Sequence, residues 1–180
     1  MNIQIFDDRI PFILRDTIFN NTINSPFGLG WGDRTDEYVP NVHSNLKPND
    51  DRISQLIPHI HECIDESSFI TNKVCNKAVI NLVRPSDVHF IHTHLNQFVA
   101  LYYINLKWKD GWYGETIFYN SNNLDDIIYT STFKPGRIIL FDGSIPHAIR
   151  PQSIEGPKYR FTISLFFEKS SEKNNFNNYS

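Results

Sequence analysis

Cysteine is scarce in this 180-residue chain: Cys63 and Cys75 are its only two, and no Cys-x-x-Cys pair occurs. That count argues against a disulfide-stapled secreted scaffold, and both thiols read as buried or idle groups in a reducing compartment. No apolar run approaches the ~20 residues of a membrane span, and Asp7 and Asp8 stand where a signal peptide would carry its apolar core. The expected location is cytoplasmic, with no membrane partner. A large excess of one charge is missing too. Lys and Arg number 17 against 20 Asp and Glu, so the chain offers no general basic field to nucleic acid. Glycine is limited to 8 residues, and its one cluster is Gly28-Leu29-Gly30-Trp31-Gly32. That cluster lacks both the strand-loop-helix setting and the following Lys-Ser/Thr of a phosphate loop. It reads as a set of backbone bends.

Apolar residues are plentiful, at 40% of the chain with 14% aromatic, enough for one domain of this length to bury a core. From Ala78 onward the segments 78–83, 88–94, 97–106, 115–119, 127–133, 137–141 and 159–168 are short, β-rich and bounded by turn residues. This series predicts a mainly β fold, a jelly-roll barrel. Upstream, Asn49 or Asp50 can cap a supporting helix with an apolar stripe of Ile53, Leu56, Ile57, Ile60 and Ile64. Pro58 predicts a kink or a break in it. His59 and His61 lie ~200° apart on such a helix and cannot easily share an ion, so both are expected to face solvent. Residues 1–46 show short apolar runs broken by Pro, Gly and Asn. The expected organisation is a single domain over 1–169, with its barrel core at about 78–168 and a flexible, Asn-rich polar tail at 170–180. Oligomeric state has no signature here.

Chemistry concentrates in three histidines and one arginine. On a β-strand, residues i and i+2 share a face with Cα atoms ~6.5–7 Å apart, so His92 and His94 can grip one ion. His147 follows an apolar run and a turn, and can add a third ligand from elsewhere in the fold. His89, three residues before His92, faces the other way and reads as a support or surface residue. Three imidazoles suit iron, zinc, nickel or copper, and affinity order alone does not choose among them. Arg160 shares a strand face with Thr162, Ser164 and Phe166, while Phe161, Ile163, Leu165 and Phe167 occupy the other. A guanidinium on an inward face is unfavourable unless it meets an anion, and its planar fork matches a carboxylate.

Residues 83–168 carry, in order, His92-Thr93-His94, Leu101-Tyr102-Tyr103-Ile104-Asn105, Trp108, Tyr113-Gly114-Glu115-Thr116, Lys134-Pro135-Gly136-Arg137, His147 and Arg160. This succession resembles the Fe(II) and 2-oxoglutarate dependent dioxygenases of the prolyl 4-hydroxylase type. The resemblance implies a double-stranded β-helix that hydroxylates a C–H bond of a small-molecule or peptide substrate, using O₂ and converting 2-oxoglutarate to succinate and CO₂. Ascorbate is an implied reductant. It implies metal ligation by His92, His94 and His147, and cosubstrate binding by Tyr103 and Arg160, with Thr162 or Ser164 adding a hydroxyl.

The chain departs from the family at His94, where the family has a metal-binding aspartate. Three neutral imidazoles leave the ion fully dipositive. Zinc thereby becomes a rival, with a zinc hydrolase or a 2-oxoglutarate-independent dioxygenase as the alternative function. A catalytically silent jelly-roll binding module is a third reading. His94 could also turn away in favour of an acid elsewhere; Asp87 stands far back in the segment, and Glu115 belongs to a box that is structural in the family. Trp108 and Trp112 read as lid or packing residues, and Asp142 as a turn-fixing one.

Overall fold

In the computed structural model, which describes residues 2–30, 32–33, 40–47 and 49–169, strands outnumber helices ten to two among the described residues. Seven strands form one antiparallel sheet: β1 (Ile3–Phe6), β2 (Gly28–Leu29), β3 (Val42–Leu46), β4 (Cys75–Val83), β5 (Gln97–Tyr103), β8 (Ile138–Asp142) and β10 (Arg160–Glu168). Their order is β1-β8-β5-β10-β4-β3-β2. A smaller antiparallel sheet has the order β7-β6-β9, with β6 at Thr116–Asn120, β7 at Asn123–Ser131 and β9 at His147–Ile149. Two such sheets make the expected jelly roll.

β10 explains how the layers separate. It lies between β4 and β5, and every residue but Glu168 is buried. A buried strand has two covered faces, so its alternation sorts side chains between two cores. Phe161, Ile163, Leu165 and Phe167 join the core that the helices cover. Phe166 enters the second core with Val79, Val99, Leu101, Tyr103, Phe118, Ile139 and Phe141. That second core is the barrel interior, where the polar face of β10 also points.

Helix α2 (Asp51–Glu66) begins at Asp50, whose side chain accepts from Arg52 N at 2.9 Å. Ile53, Leu56, Ile60, Cys63 and Ile64 are buried along its full length. It runs through Pro58 without the predicted break. A proline inside a helix costs ~3 kcal/mol, whereas burying each large aliphatic side chain contributes ~1.5–3 kcal/mol, so the apolar stripe prevails. His59 and His61 are half-buried rather than solvent-facing, and the His61 ring meets Lys73 O at 2.9 Å.

Three other features were not read from the sequence. Helix α1 (Phe12–Ile23) has no apolar stripe: Phe12 is 65% and Ile13 82% exposed, and Ile18 and Thr22 are its buried residues. Strands β1, β2 and β3 border the large sheet within residues 1–46. β7 starts at Asn123, four residues before the expected 127. The predicted strand at 88–94 is corrected: that stretch is extended and joins the sheets through a single bridge, His92 with His147. Loop contacts take its backbone groups instead, with Phe90 N donating to Asp33 Oδ2 at 2.9 Å and His94 N to Gly143 O at 2.7 Å. The tail expected at 170–180, and Trp31 of the glycine cluster, lie outside the described residues. No helix among the described residues is long and apolar enough to cross a membrane.

Candidate metal centre

His92, His94 and His147 converge. One ring nitrogen from each lies within 4.8 Å of the others, and the ring centroids are 4.5–5.2 Å apart. Three separate devices bring them there. The His92–His147 bridge exchanges two backbone hydrogen bonds of 3.0 Å, fixing the 88–94 segment against β9. Leu95 and Asn96 make a tight turn, with Asn96 at φ 60°. Gly143 then allows the His94 carbonyl to come close, because a Cβ there would lie 2.4 Å from that oxygen and 2.7 Å from Gln97 O. Gly143→Ala is therefore expected to lower stability by about 1–3 kcal/mol and to weaken metal binding by displacing His94, as thermal melts and a cobalt titration would record.

The ring tautomers follow from neighbouring carbonyls, which can only accept. His92 Nδ1–H donates to Phe90 O at 3.0 Å, and His147 Nδ1–H donates to Ile145 O at 2.8 Å. Each leaves Nε2 with its lone pair for an ion. Burial, reinforced by His92 and Lys77, lowers the His94 pKa to about 4. Burial also holds His147 well below its ordinary value. Both rings are thus neutral and competent as ligands. An unfolded imidazole takes its proton near 6.5, so between about 6.5 and 4 the unfolded chain binds more protons than the folded one. The stability of the metal-free protein is accordingly expected to fall as pH drops through that window. Denaturant melts should show a loss on the order of 2–3 kcal/mol from His94; stability that does not change with pH would contradict its burial as a neutral ring.

The imidazoles line a cavity that also reaches Val99, Leu101, Phe141 and Phe166 on its apolar walls, and Asn41, Asn81, Thr116 and Ser164 among its polar groups. Neither alternative acid is there. Asp87 is paired with Arg84 at 2.7 Å, and Glu115 lies 4.0 Å from Arg150. His94 does not turn away; its ring packs edge-on against Phe166 at 5.0 Å.

Behind the cavity wall Arg160 is fully buried. Its Nε donates to Gly114 O at 2.9 Å and its Nη2 reaches Thr116 Oγ1 at 3.5 Å. Gly114, at φ +85°, brings its carbonyl that near because a Cβ there would strike Trp108. The guanidinium carbon lies 5.3 Å from the Tyr103 ring centre and 5.1 Å from that of Phe133. The Tyr103 hydroxyl meets Thr116 Oγ1 at 2.7 Å. Trp108 stacks on Phe133 at 3.9 Å, and Phe133 stacks on Tyr103 at 4.3 Å, so Trp108 packs this wall. Among the described residues, buried Arg160 Nη1 and Thr162 Oγ1 have no hydrogen-bond partner, and burial works against the guanidinium charge. An orphaned N–H of a buried cation and an orphaned hydroxyl on the same strand face fit an anion with oxygen acceptors. Ser164 differs: it accepts from Asn81 Nδ2 at 3.0 Å and stands at the cavity rather than with Arg160.

Two residues escaped sequence reasoning. Thr116 joins Tyr103, Arg160 and the cavity, and its signal was present in the Gly-Glu-Thr box. Asp33 lies 3.4 Å from His89 and 3.6 Å from His92, with 9% of its side chain exposed. Nothing in its local sequence marks it. His89, expected as a support or surface residue, is buried beside it and lines the cavity. Asp142 fixes its turn as expected, accepting from Ser144 N at 2.9 Å.

No family model matches this sequence, and no curated protein matches it either. Solved structures do match its fold. A Pseudomonas putida prolyl-4-hydroxylase superposes with a TM-score of 0.72 at 13% identity, covering 93% of each chain. A prolyl hydroxylase from Trichoplax adhaerens, in complex with a hypoxia inducible factor oxygen degradation domain peptide fragment, gives 0.64 at 16% identity, covering 93% of this chain and 83% of that one. HygX from Streptomyces hygroscopicus, with nickel and 2-oxoglutarate bound, gives 0.72 at 6% identity over 94% and 83%. The chain thus has the jelly-roll fold of prolyl hydroxylase-like 2-oxoglutarate and Fe(II) oxygenases.

Proposed function

We propose that this protein is an Fe(II) and 2-oxoglutarate dependent dioxygenase that hydroxylates a C–H bond, with decarboxylation of 2-oxoglutarate to succinate and CO₂. The observation that carries the reading is a fully buried Arg160 whose Nη1 has no partner among the described residues, on the same β10 face as Ser164 and Phe166, which line the cavity of three converging imidazoles. That guanidinium offers a carboxylate seat that activation of a zinc-bound water does not itself require.

In this reading His92, His94 and His147 hold the metal through ring nitrogens. Arg160 and Tyr103, with Thr162, hold the far carboxylate of 2-oxoglutarate, and Thr116 orients the Tyr103 hydroxyl. Ser164 borders the cavity. Bound Fe(II) would supply the redox chemistry that couples loss of CO₂ to oxidation of the substrate. The chain's own contribution is placement and dryness: Val99, Leu101, Phe141 and Phe166 exclude water from the cavity, and the fixed tautomers present the imidazoles without reorganisation. No separate acid or base is required. The substrate is a small molecule or a peptide; the peptide complex of the Trichoplax neighbour supports the latter. A cytoplasmic setting accords with two free thiols, and ascorbate would keep the iron reduced.

The test is succinate release from the purified chain, which should require both added Fe(II) and 2-oxoglutarate. His94 favours a second reading, a three-histidine zinc enzyme. Bound zinc, together with a melting temperature indifferent to 2-oxoglutarate, would establish that reading and reject the first.

A further inference from the structure

We propose that Asp33 is a positioning residue of the metal centre, an outer carboxylate that acts through His92 and offsets the charge left uncompensated by His94. The inference rests on the metal reading above. Asp33 meets the ligand-bearing segment at three residues, His89, Phe90 and His92. Its Oδ2 accepts from Phe90 N at 2.9 Å and faces His89 Nδ1 at 3.4 Å, while its Oδ1 lies 3.6 Å from His92 Nδ1. Asn41 Nδ2 donates to Oδ1 at 2.8 Å and secures the carboxylate from the residue just before β3.

The arrangement is specific to His92. Phe90 gives its N–H to Asp33 and its carbonyl to His92 Nδ1, so one residue passes the carboxylate's orientation to the ring. The same carboxylate stands beside that Nδ1–H and favours the proton there, which leaves the Nε2 lone pair to the ion. His147 has only a carbonyl in the corresponding place, Ile145 O. Burial strengthens the effect, because a carboxylate with 9% of its side chain exposed is weakly screened. A three-imidazole centre with no acid among its ligands therefore keeps a negative charge one ring away.

The metal alone tests this. The metal-free full chain is titrated with Co(II) by calorimetry, as wild type, Asp33→Asn, His94→Asp and the double variant, with melting temperatures taken for each. Asp33→Asn, which keeps the shape and removes the charge, should lose about tenfold to hundredfold in affinity. With an acid restored in the ligand set by His94→Asp, the same change should cost less than about threefold. An equal loss in both backgrounds reduces Asp33 to a loop clamp and overturns the proposal, as does wild-type affinity in Asp33→Asn. If the wild type binds no cobalt, the metal reading itself falls. Should His94→Asp not fold, the His92 Nδ1–H resonance of the Zn(II)-loaded chain decides: it should shift in Asp33→Asn while that of His147 stays, and unchanged resonances reject the role.

Discussion

Replacing His147 by alanine should abolish Fe(II)-dependent succinate release and weaken metal binding by more than the ~100-fold that loss of an outer partner causes. The ring is 5% exposed, fixed by Ile145 O and wedged against Phe141 at 4.8 Å between centroids. It is also the one member of the trio delivered by β9, so its loss leaves two imidazoles on a single extended segment. Those two cannot surround an ion from opposite sides. Truncation also opens space beside Phe118 and Phe141, and a fold cost of about 2–4 kcal/mol is expected from the cavity. Cobalt titration of the folded variant separates the two effects. His59→Ala, on helix α2 and outside the cavity lining, serves as the control that keeps metal affinity. Wild-type turnover in His147→Ala would remove the metal assignment altogether.

The contrast between those histidines shows what the sequence made legible. His92 and His94 could be paired because residues i and i+2 of an extended backbone share a face; the alternation does not reach back to His89, which lines the same cavity in a segment that is not a ladder strand. The two faces of β10 were legible for the same reason: Phe161, Ile163, Leu165 and Phe167 do separate from the Arg160 face. Asp33 was not legible. It lies 56 residues before His89 in sequence and meets it only in the fold, where Gly32, Asp33 and Asn41 line the same cavity as the histidines. Helix α1 was hidden because a helix with Ile13 82% exposed writes no stripe. The break read at Pro58 does not occur, because local propensity was weighed without the five buried side chains that hold α2 in place.

Arg160→Met should leave the metal site loaded and the fold intact while 2-oxoglutarate binding weakens about 100-fold or more. Breaking a buried ion pair by removing one partner costs about 3–5 kcal/mol, and each 1.4 kcal/mol is tenfold in affinity. The fold itself responds differently, because in the absence of cosubstrate the guanidinium is a buried charge with Nη1 unsatisfied. Exchanging it for an apolar side chain of similar length relieves that desolvation. Against this, Gly114 O loses its donor, a penalty of about 1–3 kcal/mol for an unmatched buried carbonyl. The two terms are of similar size and opposite sign, so the melting temperature of the cosubstrate-free variant should stay near that of wild type. What should vanish is the rise in melting temperature that 2-oxoglutarate gives the metal-loaded wild type. A variant that keeps that rise would show that the anion is held elsewhere, and the buried cation would then have to be explained as a structural brace for the Gly114 turn.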